Sequence, residues 1–163
     1  MIGRRVLMTG GVVGLAVAFG SRWWAVAPRA AETFEVSHSD AEWRQRLTAD
    51  QYAVLREGGT ERPFTSSLLH EERHGNFACA GCDLDLFDSA TKFDSHTGWP
   101  SFWAPLEKAI GTTTDTSFGV VRTEVHCSRC GGHLGHVFDD GPKPTGLRYC
   151  MDGVALTFKP TSA

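Results

Sequence analysis

Two Cys-x2-Cys pairs, Cys79/Cys82 and Cys127/Cys130, stand 44 residues apart in a chain of 163. Each pair offers two thiolates on a tight turn, and four thiolates complete the tetrahedron that zinc prefers. The long interval puts the two turns in separate hairpins, unlike a compact zinc finger, so the ion would pin together β segments distant in sequence. A closed four-cysteine shell leaves no open coordination position, so one zinc per chain would be structural and not catalytic. Two disulfides compete with this reading in an exported chain, and a lone Cys-x2-Cys can be a redox pair. Two such pairs together favour the metal. The fifth cysteine, Cys150, is then left over as a working thiol.

The text around the knuckles is that of an all-β domain. From Arg62 onward, short apolar stretches alternate with Gly, Pro, Asp and Ser. Val121, Thr123, Val125 and Cys127 alternate with Arg122, Glu124 and His126. Val154, Leu156 and Phe158 alternate with Ala155, Thr157 and Lys159. Both runs have the period of two of half-buried strands. Each knuckle leads to a strand-like segment, Leu86-Phe87-Asp88 after the first and Val137-Phe138-Asp139 after the second, a weak internal repeat. Ahead of them, Ser39 to Glu42 and Thr48 to Gln51 are capping boxes that predict two short helices, the second running to Glu57 and stopping at Gly58-Gly59. Trp43, Leu47, Tyr52 and Leu55 would pack them onto the main body.

The first 31 residues read differently. No acid occurs before Glu32, and Arg4-Arg5 precede an apolar, Gly-rich run of 14 residues from Val6 to Phe19. That run is shorter than the ~20 residues that span a bilayer. Residues 1–31 are therefore expected to be an export signal of the twin-arginine type, leading to the bacterial periplasm, with the remaining domain at 32–163. The competing readings are an uncleaved anchor and a mis-called start codon. Without that segment the formal charge moves from −3 to −7. An acidic domain with no Lys/Arg cluster has no footprint for nucleic acid. The rest, with 41% hydrophobic and 21% charged residues overall, is that of a globular protein, with no membrane association expected after signal removal.

Cys150 lies in Gly146-Leu-Arg-Tyr-Cys-Met-Asp-Gly153. If this segment is extended, Arg148, Cys150 and Asp152 share a face, and a neighbouring arginine favours thiolate over thiol. Gly153 would bend the chain there. By itself, a lone cysteine is more often a small buried hydrophobe than a nucleophile. Two further stretches bear on it: Gly98-Trp99-Pro100-Ser101-Phe102-Trp103, and Gly132-His133-Leu134-Gly135-His136-Val137-Phe138. As a regular strand the latter would set Leu134, His136 and Phe138 on one face and His133 on the other, unless the glycines break the order.

C-x2-C, G-W-P-S-F, C-x2-C, H-L-G-H-V-F and R-Y-C, in this order over residues 38–160, resemble the type B methionine sulfoxide reductases. The resemblance implies a mainly β fold of the Mss4-like, β-tent kind: two antiparallel sheets, short N-terminal helices and a structural zinc away from the active site. It implies thiol-dependent reduction of methionine-R-sulfoxide, mainly in oxidised proteins, with an external thiol or thioredoxin-like protein as reductant. Cys150 would be the nucleophile, His133 and His136 would serve the sulfoxide oxygen, and Trp99 would pack on the substrate methyl group. Phe138, Arg148 and Asp152 would complete the substrate pocket. The zinc ligands would be Cys79, Cys82, Cys127 and Cys130.

Two positions depart from the family pattern. Thr97 stands where many members carry a resolving cysteine, and Asp152 stands where Asn is usual. We expect Asp152 to pair with Arg148 and divert it in part from the sulfur; the alternatives are a protonated Asp152 that donates a hydrogen bond, or one that Gly153 lets turn to solvent. Two other classes remain to be weighed: a non-enzymatic zinc module that binds a protein partner, and a thiol–disulfide oxidoreductase, which normally needs a second redox thiol near the first.

Overall fold

The capping boxes form as the sequence predicts, because their hydrogen bonds are local. In the structure, a computed structural model that describes residues 33–161, Ser39 caps α1 (Asp40–Arg46) and Thr48 caps α2 (Ala49–Leu55). In each, the cap side chain accepts the N–H of the third helical residue, whose side chain reaches back to the cap N–H. The second helix ends two residues earlier than expected. Gly58 then adopts φ +67°, and the Gly59 N–H closes on the Ala53 carbonyl, satisfying an end carbonyl. Trp43, Leu47, Tyr52 and Leu55 are all buried, as their spacing predicts.

The strands of the described residues form two antiparallel sheets. The smaller has the order β2-β1-β9, from Gly75–Cys79 (β1), Asp85–Asp88 (β2) and Leu156–Pro160 (β9). The larger comprises Lys92–Phe93 (β3), Ser101–Phe102 (β4), Ile110–Asp115 (β5), Arg122–Cys127 (β6), His133–Phe138 (β7) and Arg148–Met151 (β8). Its order is β3-β4-β8-β7-β6-β5. The described residues form one unit, and no helix among them is long and apolar enough to cross a membrane. The expected export signal lies outside the described residues.

The sheets meet over an aromatic core. Phe102 of the larger sheet stacks on Phe87 at 4.4 Å between centroids and meets Phe77 edge-on at 4.9 Å. All three are fully buried, with Leu86, Val125, Leu134 and Met151 around them. Burying a Phe side chain of this kind contributes roughly 2–3 kcal/mol.

Three expectations need correction. The run from Val121 is not inward-facing throughout. Val121 is 76% exposed and outside β6, and only Val125 and Cys127 enter the core, while the opposite face carries the half-buried Glu124 and the buried His126. That strand is covered on both faces at its far end, so simple alternation fails. The last strand begins at Leu156, not Val154, because residues 153–155 form a 3-10 turn at Gly153. The bend expected there is present.

The third correction concerns the histidines. In the β6–β7 ladder, Val125 pairs with Gly135 and His126 with His133, which leaves Leu134 as an extra residue. This is a β-bulge, and it reverses the facing of every residue beyond it. Gly135 sits there at φ +145°, against β8; a Cβ would lie 2.2 Å from the Cys150 carbonyl oxygen. His133 and His136 therefore fall on one face with ring centroids 5.4 Å apart, not on opposite faces.

Candidate active site and metal centre

Residues directly paired across antiparallel strands carry their side chains on the same side. The register of the larger sheet thus lays out a row: Ser101 on β4, Cys150 on β8, His136 on β7, Glu124 on β6 and Thr113 on β5. Cys150 is half-buried, with His136 on one side and Ser101 on the other. The bulge adds His133 to this face.

Each histidine is held by a carboxylate. His133 Nδ1 lies 2.7 Å from Glu124 Oε1, and His136 Nε2 lies 2.9 Å from Asp115 Oδ2. The carboxylates orient the rings and choose the nitrogen that carries the proton. Asp115 also accepts from Arg122 and from the Ser117 N–H. Together with the Ser117 hydroxyl these contacts hold its carboxyl far below the usual range. Burial lowers His136, which Asp115 partly opposes. His133 Nε2 is buried with no hydrogen-bond partner among the described residues, 3.9 Å from Asp152 Oδ2. A buried imidazole nitrogen without a partner is costly unless it serves a ligand.

Arg148 shares the Cys150 face, as expected, but its partner is not Asp152. The guanidinium forms a two-pronged pair with Asp140, both contacts 2.8 Å, and lies 4.4 Å over the Phe138 ring. The Asp140 pair comes first in raising the Arg148 pKa. Burial pushes the Cys150 thiol up, while the Thr97 hydroxyl, Arg148 and Ser101 pull it down and Asp152 adds a smaller upward push.

Asp152, 4% exposed, is enclosed by a loop that the sequence did not single out. Glu61 donates its N–H to Asp152 Oδ1 at 2.7 Å and accepts the Gly153 N–H at 2.7 Å. Its carbonyl takes the Trp99 indole N–H at 3.0 Å. One residue thereby fixes both Trp99 and the end of β8. Glu61, Asp115, Glu124 and Asp140 were not legible beforehand. The polar side of the β6 pattern was the only hint of Glu124.

Burial raises the Asp152 pKa from 3.8 to about 6. Between those values the native state holds a proton that the unfolded chain has shed, so stability falls as pH rises through about 6. Asp152→Asn keeps the shape without the charge. It is expected to stabilise the protein at pH 7 by on the order of 2–3 kcal/mol and far less at pH 4. Urea unfolding of both proteins at the two pH values measures this. An equal difference at pH 4 and 7 would show that the carboxyl does not titrate with folding.

The four remaining cysteines converge from the ends of the two sheets. Cys79 closes β1 and Cys127 closes β6, and each knuckle turns into the next strand through a residue of positive φ, Asp83 (+62°) and Gly131 (+67°). Their N–H groups bond back to the Cys79 and Cys127 carbonyls. All four sulfurs lie within 4.8 Å of one another, with Cys79···Cys130 at 3.7 Å and Cys82···Cys127 at 3.5 Å. A tetrahedron with zinc–sulfur bonds of ~2.3 Å requires sulfurs about 3.8 Å apart. Disulfides would bring two of them to about 2.05 Å. Gly81 and Gly132 pack over the cluster with Leu55. The donor set and spacing fit a metal ion.

Residues 47–160 match the family profile of the SelR domain. The chain is 60% identical over 120 residues to the peptide methionine sulfoxide reductase MsrB of Pseudomonas putida, covering 73% of this chain and 90% of that protein. With the enzyme of the same name from Agrobacterium fabrum it shares 53% over 127 residues, 77% of this chain and 94% of the relative. With that of Methanosarcina barkeri it shares 52% over 125 residues, 76% and 88%.

Proposed function

The chain belongs to the SelR domain family, and from that premise we propose that it reduces methionine-R-sulfoxide, chiefly in oxidised proteins, with Cys150 as the nucleophile. The observation that carries this reading is the row in which Cys150 stands directly across from His136, with His133 on the same face and its Nε2 buried without a hydrogen-bond partner. A non-enzymatic zinc module has no use for that row.

The chemistry balances on these residues. The Cys150 thiolate attacks the sulfoxide sulfur, and a proton from the imidazole pair goes to the oxygen. Oxygen passes to the cysteine, which becomes a sulfenic acid, and the substrate leaves as the thioether two electrons richer. Two equivalents of external thiol then return Cys150 to the thiol, releasing water and a disulfide. Trp99, held by Glu61, forms the apolar wall for the methyl group. Phe138, braced by Arg148, lines the pocket. Placing the oxygen on the histidine side and the methyl on the Trp99 side selects one epimer at sulfur. The four-cysteine metal supplies structure when bound, since its shell is closed.

Thr97 stands where a resolving thiol would be, and the other four cysteines face one another, so Cys150 works as a single catalytic thiol. With a dithiol as reductant, peptides carrying R-sulfoxide should be reduced and S-sulfoxide peptides left intact. One equivalent of substrate without reductant should leave a Cys150 adduct of dimedone in mass spectra. Reduction of the S epimer alone would overturn the assignment, and an intramolecular disulfide in place of the adduct would overturn the single-thiol cycle. Export by the twin-arginine route is part of the same reading, supported by Arg4-Arg5 ahead of the apolar run. That route would let the thiols take up metal in the reducing cytoplasm before transfer.

A further inference from the structure

Beside Cys150 stands a chain of three hydroxyls. Thr97 Oγ1 lies 3.7 Å from Cys150 Sγ, Ser95 Oγ lies 2.8 Å from Thr97 Oγ1, and Ser101 Oγ lies 2.7 Å from Ser95 Oγ. Ser101, whose hydroxyl also faces the Cys150 sulfur, is anchored where it donates to the Trp99 carbonyl at 3.1 Å. Ser101 is fully buried and paired with Cys150 across the β4–β8 ladder.

Each hydroxyl has one proton to donate. If Ser101 gives its proton to Trp99, Ser95 must donate to Ser101 and Thr97 to Ser95. Thr97 is then left as an acceptor, fit for the S–H of a neutral Cys150. Rotation about the three C–O bonds reverses the order, with no heavy atom moving. Ser101 then donates to Ser95, Ser95 to Thr97, and Thr97 to a thiolate.

We propose that Ser95, Thr97 and Ser101 form a reversible hydroxyl chain that turns its donors toward Cys150 when the thiol loses its proton, and that Ser95 is a positioning residue acting through Thr97. The proposal rests on the reading of Cys150 as nucleophile. It assigns Thr97 a task in place of the missing resolving thiol. The chain matters because Arg148 is already committed to Asp140 and Asp152 adds negative charge nearby. The other titratable groups on this face are His136, held by Asp115, and His133, held by Glu124. None of these groups touches Ser95.

The test reads the thiol directly, so it is independent of turnover. The rate of iodoacetamide alkylation of Cys150 is followed against pH in the full chain carrying Ser95→Ala, Thr97→Val or Thr97→Ser. Ser95→Ala leaves the sulfur's own neighbours in place, yet it should slow alkylation at neutral pH about fivefold, the worth of one hydrogen bond, and move the profile to higher pH. Thr97→Val should slow it at least as much, and Thr97→Ser should restore the wild-type profile. A Ser95→Ala profile superimposed on wild type overturns the proposal. So does a Thr97→Ser protein as impaired as Thr97→Val, which would show that Thr97 acts by packing. Loss of sulfoxide reduction in Cys150→Ser, with these alkylation profiles unchanged, would leave the nucleophile in place and the chain refuted.

Discussion

Cys150→Ser is expected to abolish sulfoxide reduction outright, by at least about a thousandfold, while metal content and fold stay as in the wild type. The loss should be complete for a chemical reason beyond poor nucleophilicity. Sulfur can accept the oxygen atom and become a sulfenic acid, but a serine oxygen could accept it only by forming a weak O–O bond. The fold should tolerate the change. Cys150 is half-buried, and Thr97 and Ser101 offer hydroxyl partners that suit a serine as well as a cysteine. The stability cost should be about 1 kcal/mol or less. Single-turnover kinetics with a peptide R-sulfoxide, set beside a thermal melt, separates the two effects. Turnover at the wild-type rate would mean that another group performs the attack.

Cys79→Ser should have the opposite profile, in which the fold goes first. Cys79 is 1% exposed and joins the smaller sheet to Cys127 and Cys130 from the larger one. If the four thiols hold zinc, the ion would contribute about 10–16 kcal/mol of apparent binding free energy that exists only in the folded state. A domain stable by about 5–15 kcal/mol cannot absorb the loss of much of that. The mutant should purify metal-free and unfolded, or not accumulate at all. Metal analysis of the wild type should give one zinc per chain, and chelation should unfold it. A stable, active, metal-free Cys79→Ser protein would show that the thiols do not hold the sheets.

Features decided within a few residues were legible in the sequence. The capping boxes at Ser39 and Thr48 form as written because both partners lie within one turn. The cysteine knuckles were legible because ligand spacing is a local constraint on a tight turn. The facing of His133 and His136 was legible only as a choice: the glycines left room for a break in the order, but the period of two does not say that one residue, Leu134, goes unpaired beside Gly135. The Arg148 partner failed for a different reason. Asp152 is nearest along an extended strand, but the loop from β7 to β8 folds back through the Gly141–Gly146 contact and brings Asp140 to the guanidinium. Asp152 is taken instead by Glu61, about 90 residues away in sequence. Such pairings are set by the packing of whole sheets, which single-segment patterns do not encode.

The unpaired residue at Leu134 has a mechanical consequence. Before it, β7 must leave Cys130 in the alignment that four sulfurs demand, within a few tenths of an ångström. After it, the same strand must bring His136 level with Cys150. In an unbroken ladder the two alignments would be one, and any adjustment at the metal would be transmitted residue for residue to the thiol. The bulge acts as a slip joint between them. The four-sulfur end and the Cys150 end can each be held to its own tolerance, on a strand only six residues long.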